Sequence, residues 1–266
     1  MQTLPLHIAA PHPFTNIFFD CDGTLSLIEG IDFLAEINDV GSSVRCITER
    51  SMADQGISSS IYEKRLNLIK THQQDIEELK CEYLRHIAPE AGETIALLQG
   101  MKKKVHIISA GIQAAILPLA AHLNIPGENV HAVNLSFTEN GDYDNFDRAS
   151  PLITPFGKKI IIEKINRLSM ECVLIGDGAN DLAASSAVTR FIGYGGAHHH
   201  NKIMQEADFF LLKSSFSALL PLLLTETEAN HLNKMDRELY QKGLLHIQQE
   251  GLLIQGERYV HHSLSG

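Results

Sequence analysis

The stretch Asn16-Ile17-Phe18-Phe19-Asp20-Cys21-Asp22-Gly23-Thr24 carries a short unbroken apolar run that stops at an acid. A run with no polar alternation predicts a strand buried on both faces, the signature of a parallel sheet. The run passes into a loop that holds Asp20, Asp22, Gly23 and Thr24, so two carboxylates stand just past the carboxyl end of the strand. In an open parallel sheet that end is where ligands bind.

Working outward, the second half alternates strand-like and helix-like text. A strand over 105–108 ends at Ser109, and a helix follows over 112–123. Next come a strand at 130–133, a helix at 157–168, a strand at 172–175 and a helix after Asp181. Strands at 190–194 and 209–211 close the series. This alternation predicts an α/β fold, a Rossmann-like parallel sheet with helices on both faces. Between them, Glu139-Asn140-Gly141-Asp142 marks a tight hairpin turn.

From Glu29 to Ile87 the text turns helical, with Ile31, Leu34, Ile37 and then Ile61, Leu66, Ile69 at helix spacing. The expected organisation is a discontinuous α/β core of residues 1–28 and 89–224, an inserted all-helical domain at 29–88, and a helical C-terminal extension at 225–266. In the extension, Leu232, Met235 and Leu239 form a stripe that is expected to cover its own domain, with a second subunit as the alternative. Gly243 and Gly251 are expected to interrupt it.

Composition sets outer bounds. The 266 residues carry a net charge of −10, with 44% hydrophobic and 20% charged residues, which suits a soluble globular enzyme. The acidic balance argues against nucleic acid or an anionic membrane as partner. Cys21, Cys46, Cys81 and Cys172 are scattered and suit reduced thiols. Residues 1–14 lack Lys and Arg and carry three prolines, unlike a signal peptide, so a cytoplasmic location is expected. The run Lys102-Lys103-Lys104 reads as a solvated approach to a strand.

The strand ends deliver a consistent chemistry. One gives Asp20 and Asp22, another Ser109, and the strand at 172–175 gives Gly176-Asp177-Gly178-Ala179-Asn180-Asp181, while Lys158 opens a helix between the last two. Singly, each has an ordinary explanation: a solvated acidic turn, a helix N-cap, a surface lysine. Together, hard carboxylates from Asp20, Asp22 and Asp177 suit Mg²⁺ better than zinc. Carboxylates, a lysine, a hydroxyl and Mg²⁺ suit phosphoryl transfer, with Asp20 as nucleophile and Asp22 as acid and base.

These motifs, in this order, resemble those of haloacid dehalogenase-superfamily phosphatases. The resemblance implies the same roles for Asp20 and Asp22. It further implies that the Asp22 carbonyl joins Asp20 and Asp177 on Mg²⁺, that Asp181 stands behind these ligands, and that Ser109 and Lys158 hold the phosphoryl group. Lys158 is preferred to its neighbour Lys159 because the functional lysine of that pattern directly precedes its helix.

The helical insertion is similar to the cap of the phosphoserine phosphatases within that superfamily, through Glu29-Gly30-Ile31-Asp32-Phe33-Leu34-Ala35, Arg50-Ser51-Met52 and Glu63-Lys64-Arg65-Leu66-Asn67-Leu68-Ile69. Leu123-Asn124-Ile125-Pro126 and Phe191-Ile192-Gly193-Tyr194-Gly195-Gly196 extend the likeness to about Leu224. It implies that Glu29 takes the substrate ammonium, Arg65 grips its carboxylate and Met52 lines the pocket. Ser109, Ala110, Gly111 and Asn180 complete the implied substrate site, and the implied reaction is hydrolysis of a small phosphomonoester, O-phosphoserine. The family often has Ser-Gly-Gly where this chain has Ser109-Ala110-Gly111, and phenylalanine where it has Ser58, which implies a wider or more polar pocket unless Tyr62 fills the gap. The alternatives are a phosphatase for another small metabolite and a non-catalytic phospholigand sensor. His198-His199-His200 suggests a metal, but adjacent side chains do not converge on one ion, so at most one of them is expected to reach substrate.

Overall fold

The computed structural model describes residues 8–54, 58–167, 171–197, 199–255 and 257–258, with the side chains of 49–54, 250 and 257–258 left aside. The chain begins with strand β1 (Asn16–Phe19), followed by four helices, α1 (Gly30–Ile37), α2 (Gly41–Asp54), α3 (Ser59–Ile69) and α4 (Gln73–Arg85). Then come α5 (Ala91–Gly100), β2 (Lys104–Ile112), α6 (Gln113–His122), β3 (Val130–Val133) and the hairpin β4 (Leu135–Phe137) with β5 (Tyr143–Phe146). Next are α7 (Gly157–Ile165), β6 (Cys172–Gly176), α8 (Ala179–Ala184), β7 (Arg190–Tyr194), α9 (Asn201–Glu206) and β8 (Phe209–Leu211). The tail holds α10 (Leu220–Leu223), α11 (Glu226–Asn230), α12 (Lys234–His246), β9 (Leu252–Ile254) and β10 (Glu257–Arg258).

The eight-stranded sheet runs β10-β9-β8-β7-β6-β1-β2-β3, parallel from β8 to β3. β1 is central and buried along its whole length. Ile17 and Phe19 enter one apolar cluster and Phe18 the other, as a period of two requires of a strand covered on both faces. Each fully buried phenylalanine contributes roughly 1.5–3 kcal/mol. Because the sheet is parallel, register lines up the chemistry: Phe19 stands abreast of Ile107 in β2 and Ile175 in β6. Asp20, Ser109 and Asp177 follow those residues within two positions and so emerge at one pole.

The insertion between β1 and α5 is made of helices α1 to α4. Its neck is closed by two backbone bonds, Leu27 N–H to His86 O at 2.8 Å and Ala88 N–H to Leu25 O at 2.9 Å. The helices share the body's core, since Leu34, Val44, Leu79 and Tyr83 lie in the same cluster as Phe19. Against the hairpin, Gln73 N–H donates to Gly141 O at 2.8 Å, and Arg148 pairs with Glu63 of α3 at 2.6 Å.

Several expectations are corrected. β2 continues to Ile112, so Ser109 lies inside the strand. α8 begins at Ala179, two residues before Asp181, whose Oδ2 accepts the Gly178 N–H at 3.1 Å and so caps the helix from within. The 209–211 strand is not the sheet's edge: β9 pairs antiparallel with β8 and β10 with β9, so the tail is not purely helical. Gly243 does not interrupt α12 but lies inside it, where its bare backbone lets the helix close on the Ser217 carbonyl. Lys103 is not solvated; its ammonium is buried between Phe14 O at 3.2 Å and Glu228 at 2.6 Å. That bond ties the tail to the sheet, and the tail covers its own core through Tyr240, Leu244 and Leu252.

Candidate active site

The site grows from the end of β1. Asp20 Oδ1 accepts the Cys21 N–H at 2.7 Å, and its Oδ2 lies 2.7 Å from Lys158 Nζ. Lys158 opens α7 and also reaches Asp181 Oδ1 at 2.7 Å. Gly23 holds φ +68, a left-handed turn, and a Cβ there would overlap the Asp177 carboxylate. Only glycine lets the loop fold this closely over β6, and Thr24 Oγ1 donates to Asp177 Oδ1 at 3.3 Å. Carboxylate oxygens of Asp20, Asp177 and Asp181, all buried, come within 4.8 Å of one another.

Asp22 turns the other way. Its Oδ1 accepts from the Gly30 N–H and from Tyr83 Oη, both at 2.7 Å, and its Oδ2 accepts from Ser109 Oγ at 3.2 Å. Cys21, in the turn between the two aspartates, is fully buried in the core.

The electrostatics follow from packing several acids around one lysine. Burial pushes Asp177 well above the ordinary carboxylate range, and the charges of Asp20 and Asp181 push further. Burial and the Asp20 charge likewise raise Asp22, and they raise Asp181 to about 7. Burial works against the charge on Lys158, but Asp181 and Asp20 outweigh it and hold the ammonium above its usual range. One lysine leaves the acids with surplus negative charge, and a set of buried carboxylate oxygens fits a hard divalent cation.

A cavity of about 280 Å³ opens onto these groups. Of the residues that the sequence singles out, Asp20, Asp22, Glu29, Arg65, Ser109, Ala110, Gly111, Lys158, Asp177, Asn180 and Asp181 all line it. Met52 belongs to α2, and its side chain lies outside the described residues. Glu29 stands at the start of α1, where burial and the charges of Asp22 and Asp177 raise it well above the carboxylate range. Arg65, on α3, is 5% exposed, and its Nε has no partner among the described residues. Burial weakens the hold of that guanidinium on its proton. An acid and a buried arginine therefore face the same space as the carboxylate cluster.

Ser58 is no part of the lining; it caps α3, its side chain accepting from the Ile61 N–H at 3.4 Å. Tyr62 lines the cavity instead, one turn before Arg65, packed edge-on against Phe146 with ring centroids 5.2 Å apart. His198 lies outside the described residues. His199 Nε2 bonds the Gly195 and Leu212 carbonyls, both at 3.1 Å, while His200 reaches the cavity wall. Sequence reasoning misses Asp32, Thr48 and Tyr83 as lining residues. Tyr83 in particular reads as core, since Ile76, Leu79 and Tyr83 share the buried face of α4. Lys159, the rejected neighbour of Lys158, is half-buried and lies 3.9 Å from Glu163.

Carboxylates and one lysine at the carboxyl pole of a parallel sheet, beneath an inserted group of helices, define a hydrolase of the haloacid dehalogenase architecture. The chain belongs to the haloacid dehalogenase-like hydrolases, whose family profile matches residues 14–189. Within that family it is 33% identical over 199 residues to phosphoserine phosphatase of Homo sapiens, a match spanning 73% of this chain and 88% of the relative. It is 32% identical over 201 residues to the chloroplastic phosphoserine phosphatase of Arabidopsis thaliana, covering 74% and 68% of the two chains. In structure it is similar to a phosphoserine phosphohydrolase-like protein from Francisella tularensis, with a TM-score of 0.67, 25% identity and coverage of 75% and 95%. Among the described residues no helix is long and apolar enough to cross a membrane.

Proposed function

We propose that the protein hydrolyses O-phospho-L-serine to serine and phosphate through a phosphoryl group carried on Asp20. The observation that carries this reading is that Asp20 with Lys158, Asp22, and the pair Glu29 and Arg65 share one small cavity. Among small phosphomonoesters, a zwitterion matches that last pair. Glu29 accepts from the ammonium, and Arg65 donates to the carboxylate with the fork geometry that suits it.

In the first step an Asp20 oxygen attacks phosphorus and the ester P–O bond breaks. The electron pair leaves on the seryl oxygen, which takes a proton from Asp22. In the second step Asp22 removes a proton from water, whose oxygen attacks phosphorus and releases Asp20. Lys158 keeps positive charge against the phosphoryl oxygens, and Ser109, with the neighbouring backbone of Ala110 and Gly111, steadies them beside Asn180. The side chains of Asp20 and Asp177, with the Asp22 carbonyl, would hold Mg²⁺. Asp181 stands behind them, its oxygens already taken by Lys158 and the Gly178 N–H. Bound there, Mg²⁺ supplies positive charge that lets an anionic nucleophile approach an anionic ester.

The inserted helices at 29–88 act in this reading as a cap that excludes bulk water, on the α/β core of 1–28 and 89–224. The described part of the extension braces the sheet of its own subunit through β9 and the Lys103–Glu228 pair. Four free cysteines suit a cytoplasmic enzyme.

A second reading, another small phosphomonoester as substrate, draws on Ala110, whose methyl lines the cavity. Phosphate release from L-phosphoserine, phosphothreonine, phosphoethanolamine, phosphocholine and sugar phosphates, with and without Mg²⁺, separates the two. Mg²⁺-dependent preference for phosphoserine supports the first reading, preference for another ester supports the second, and no release from any sinks both in favour of a phospholigand sensor.

A further inference from the structure

Among the described cavity residues two hydroxyls touch the proposed proton carrier, Ser109 Oγ and Tyr83 Oη, and Tyr83 makes the shorter bond. It sits on the last helix of the insertion, its side chain is fully buried, and Tyr83 Oη donates to Asp22 Oδ1 at 2.7 Å. The Gly30 N–H, from the first helix of the insertion, donates to the same oxygen at the same distance. With two donors satisfied, Oδ1 has no role left in the reaction. Among the described residues Oδ2 accepts one hydrogen bond, the longer one of 3.2 Å from Ser109 Oγ, which belongs to the wall that meets the phosphoryl group. A carboxyl group gripped at one oxygen does not swing about its own axis, so the other oxygen keeps a fixed aim.

We infer that Tyr83 is a positioning residue for this reaction: by holding Asp22 Oδ1 it fixes Oδ2 as the oxygen that gives and takes the catalytic proton. This rests on the phosphatase reading above. It also joins the two ends of the insertion to the chemistry, because the two donors to Oδ1 come from α1 and α4, on either side of the neck. Backbone on the same turn as Tyr83 is anchored as well, since Ser26 Oγ donates to Tyr83 O at 3.1 Å. The ring is therefore held independently of its hydroxyl, and Tyr83→Phe removes the contact while keeping the packing.

The test compares two leaving groups in single-turnover reactions. Serine must be protonated as it leaves, whereas the acetate of acetyl phosphate, a smaller molecule, needs no proton. Tyr83→Phe is expected to slow phosphoenzyme formation from phosphoserine by roughly 10- to 100-fold, a part of what general acid catalysis contributes, with KM unchanged. Formation from acetyl phosphate is expected to change less than about threefold, followed by slow release of phosphate because the second step still needs Asp22 as base. Equal slowing with both substrates, or no slowing with either, overturns the role of Tyr83. Wild-type protein that hydrolyses neither overturns the phosphatase reading and the Tyr83 role with it.

A second perturbation approaches the same bond from the other side. A Cβ on Gly30 would overlap Tyr83 Oη most severely, the ring carbon that bears it at 2.9 Å, and Asp22 Oδ1 least at 3.1 Å, so Gly30→Ala chiefly pushes the hydroxyl off Asp22. Gly30→Ala is expected to slow phosphoserine turnover much more in the wild-type background than in Tyr83→Phe, where the hydroxyl is already gone. Equal effects in the two backgrounds overturn the inference.

Discussion

Lys158 Nζ lies 2.7 Å from Asp20 Oδ2 with both side chains almost wholly buried, so the proposed nucleophile and the one lysine among the described residues lining the cavity form a single unit. Its ammonium is charged throughout the neutral range because Asp181 and Asp20 outweigh the burial that disfavours it. Lys158→Met is expected to lower kcat with phosphoserine by roughly 100- to 1,000-fold, the usual cost of losing one donor to a developing anion. Steady-state kinetics check this. A loss confined to KM would assign Lys158 to ground-state binding alone.

Arg65 offers a different signature. Its Nε is buried without a partner among the described residues, which costs free energy until an acceptor arrives. Arg65→Ala is expected to raise KM for phosphoserine at least 10-fold, while phosphoethanolamine, which has no carboxylate, changes by less than about threefold. Hydrogen bonds to charged groups are worth about 1.5–3 kcal/mol, which sets that scale. Equal losses for the two substrates would remove Arg65 from carboxylate recognition.

The tail is predicted to stabilise the fold through one buried pair. Lys103→Met leaves Glu228 without its ammonium and is expected to cost about 3 kcal/mol, at the low end for a broken buried pair because Glu228 is partly exposed to water. Adding Glu228→Gln is expected to recover part of that loss. Denaturant unfolding of the two variants checks it, and independent, additive losses would mean that the contact holds nothing together.

His106 sets an acid limit on stability. It stacks on Phe18 with centroids 4.9 Å apart and on His131 at 5.9 Å, and its Nε2 bonds Asn16 Oδ1 at 3.3 Å. Burial, then His131 and Lys104, lower its pKa from 6.5 to about 4. The unfolded chain therefore binds this proton more readily than the folded one. The stabilising contribution is complete above pH 6.5 and drains away as pH falls toward 4, by about 3 kcal/mol in all. His106→Gln is expected to flatten this acid limb in a pH series of unfolding curves. An unchanged slope between pH 6.5 and 4 would assign the acid sensitivity to other groups.

The site was more legible in the sequence than its surroundings. Asp20, Ser109 and Asp177 each follow a short apolar run, and in a parallel sheet runs in register end at one pole, so one-dimensional spacing reports a three-dimensional cluster. Lys103 misleads because three lysines in a row look solvated, while only the tail's arrival reveals the acid that meets the middle one. β9 is three residues long and is stabilised by pairing with β8 from some forty positions away, a partnership local pattern does not record. Tyr83 keeps the spacing of a core residue and is one; its hydroxyl acquires a role only because the neck of the insertion folds α4 back onto the loop after β1.

The central claim is that phosphate passes through Asp20. Protein quenched in acid during turnover of L-phosphoserine with Mg²⁺, digested and weighed peptide by peptide, tests it directly. The account predicts one added phosphoryl group on the peptide containing Asp20, and both its absence and the loss of turnover in Asp20→Asn. Undiminished turnover in Asp20→Asn, or a phosphoryl group carried on another residue, would contradict it.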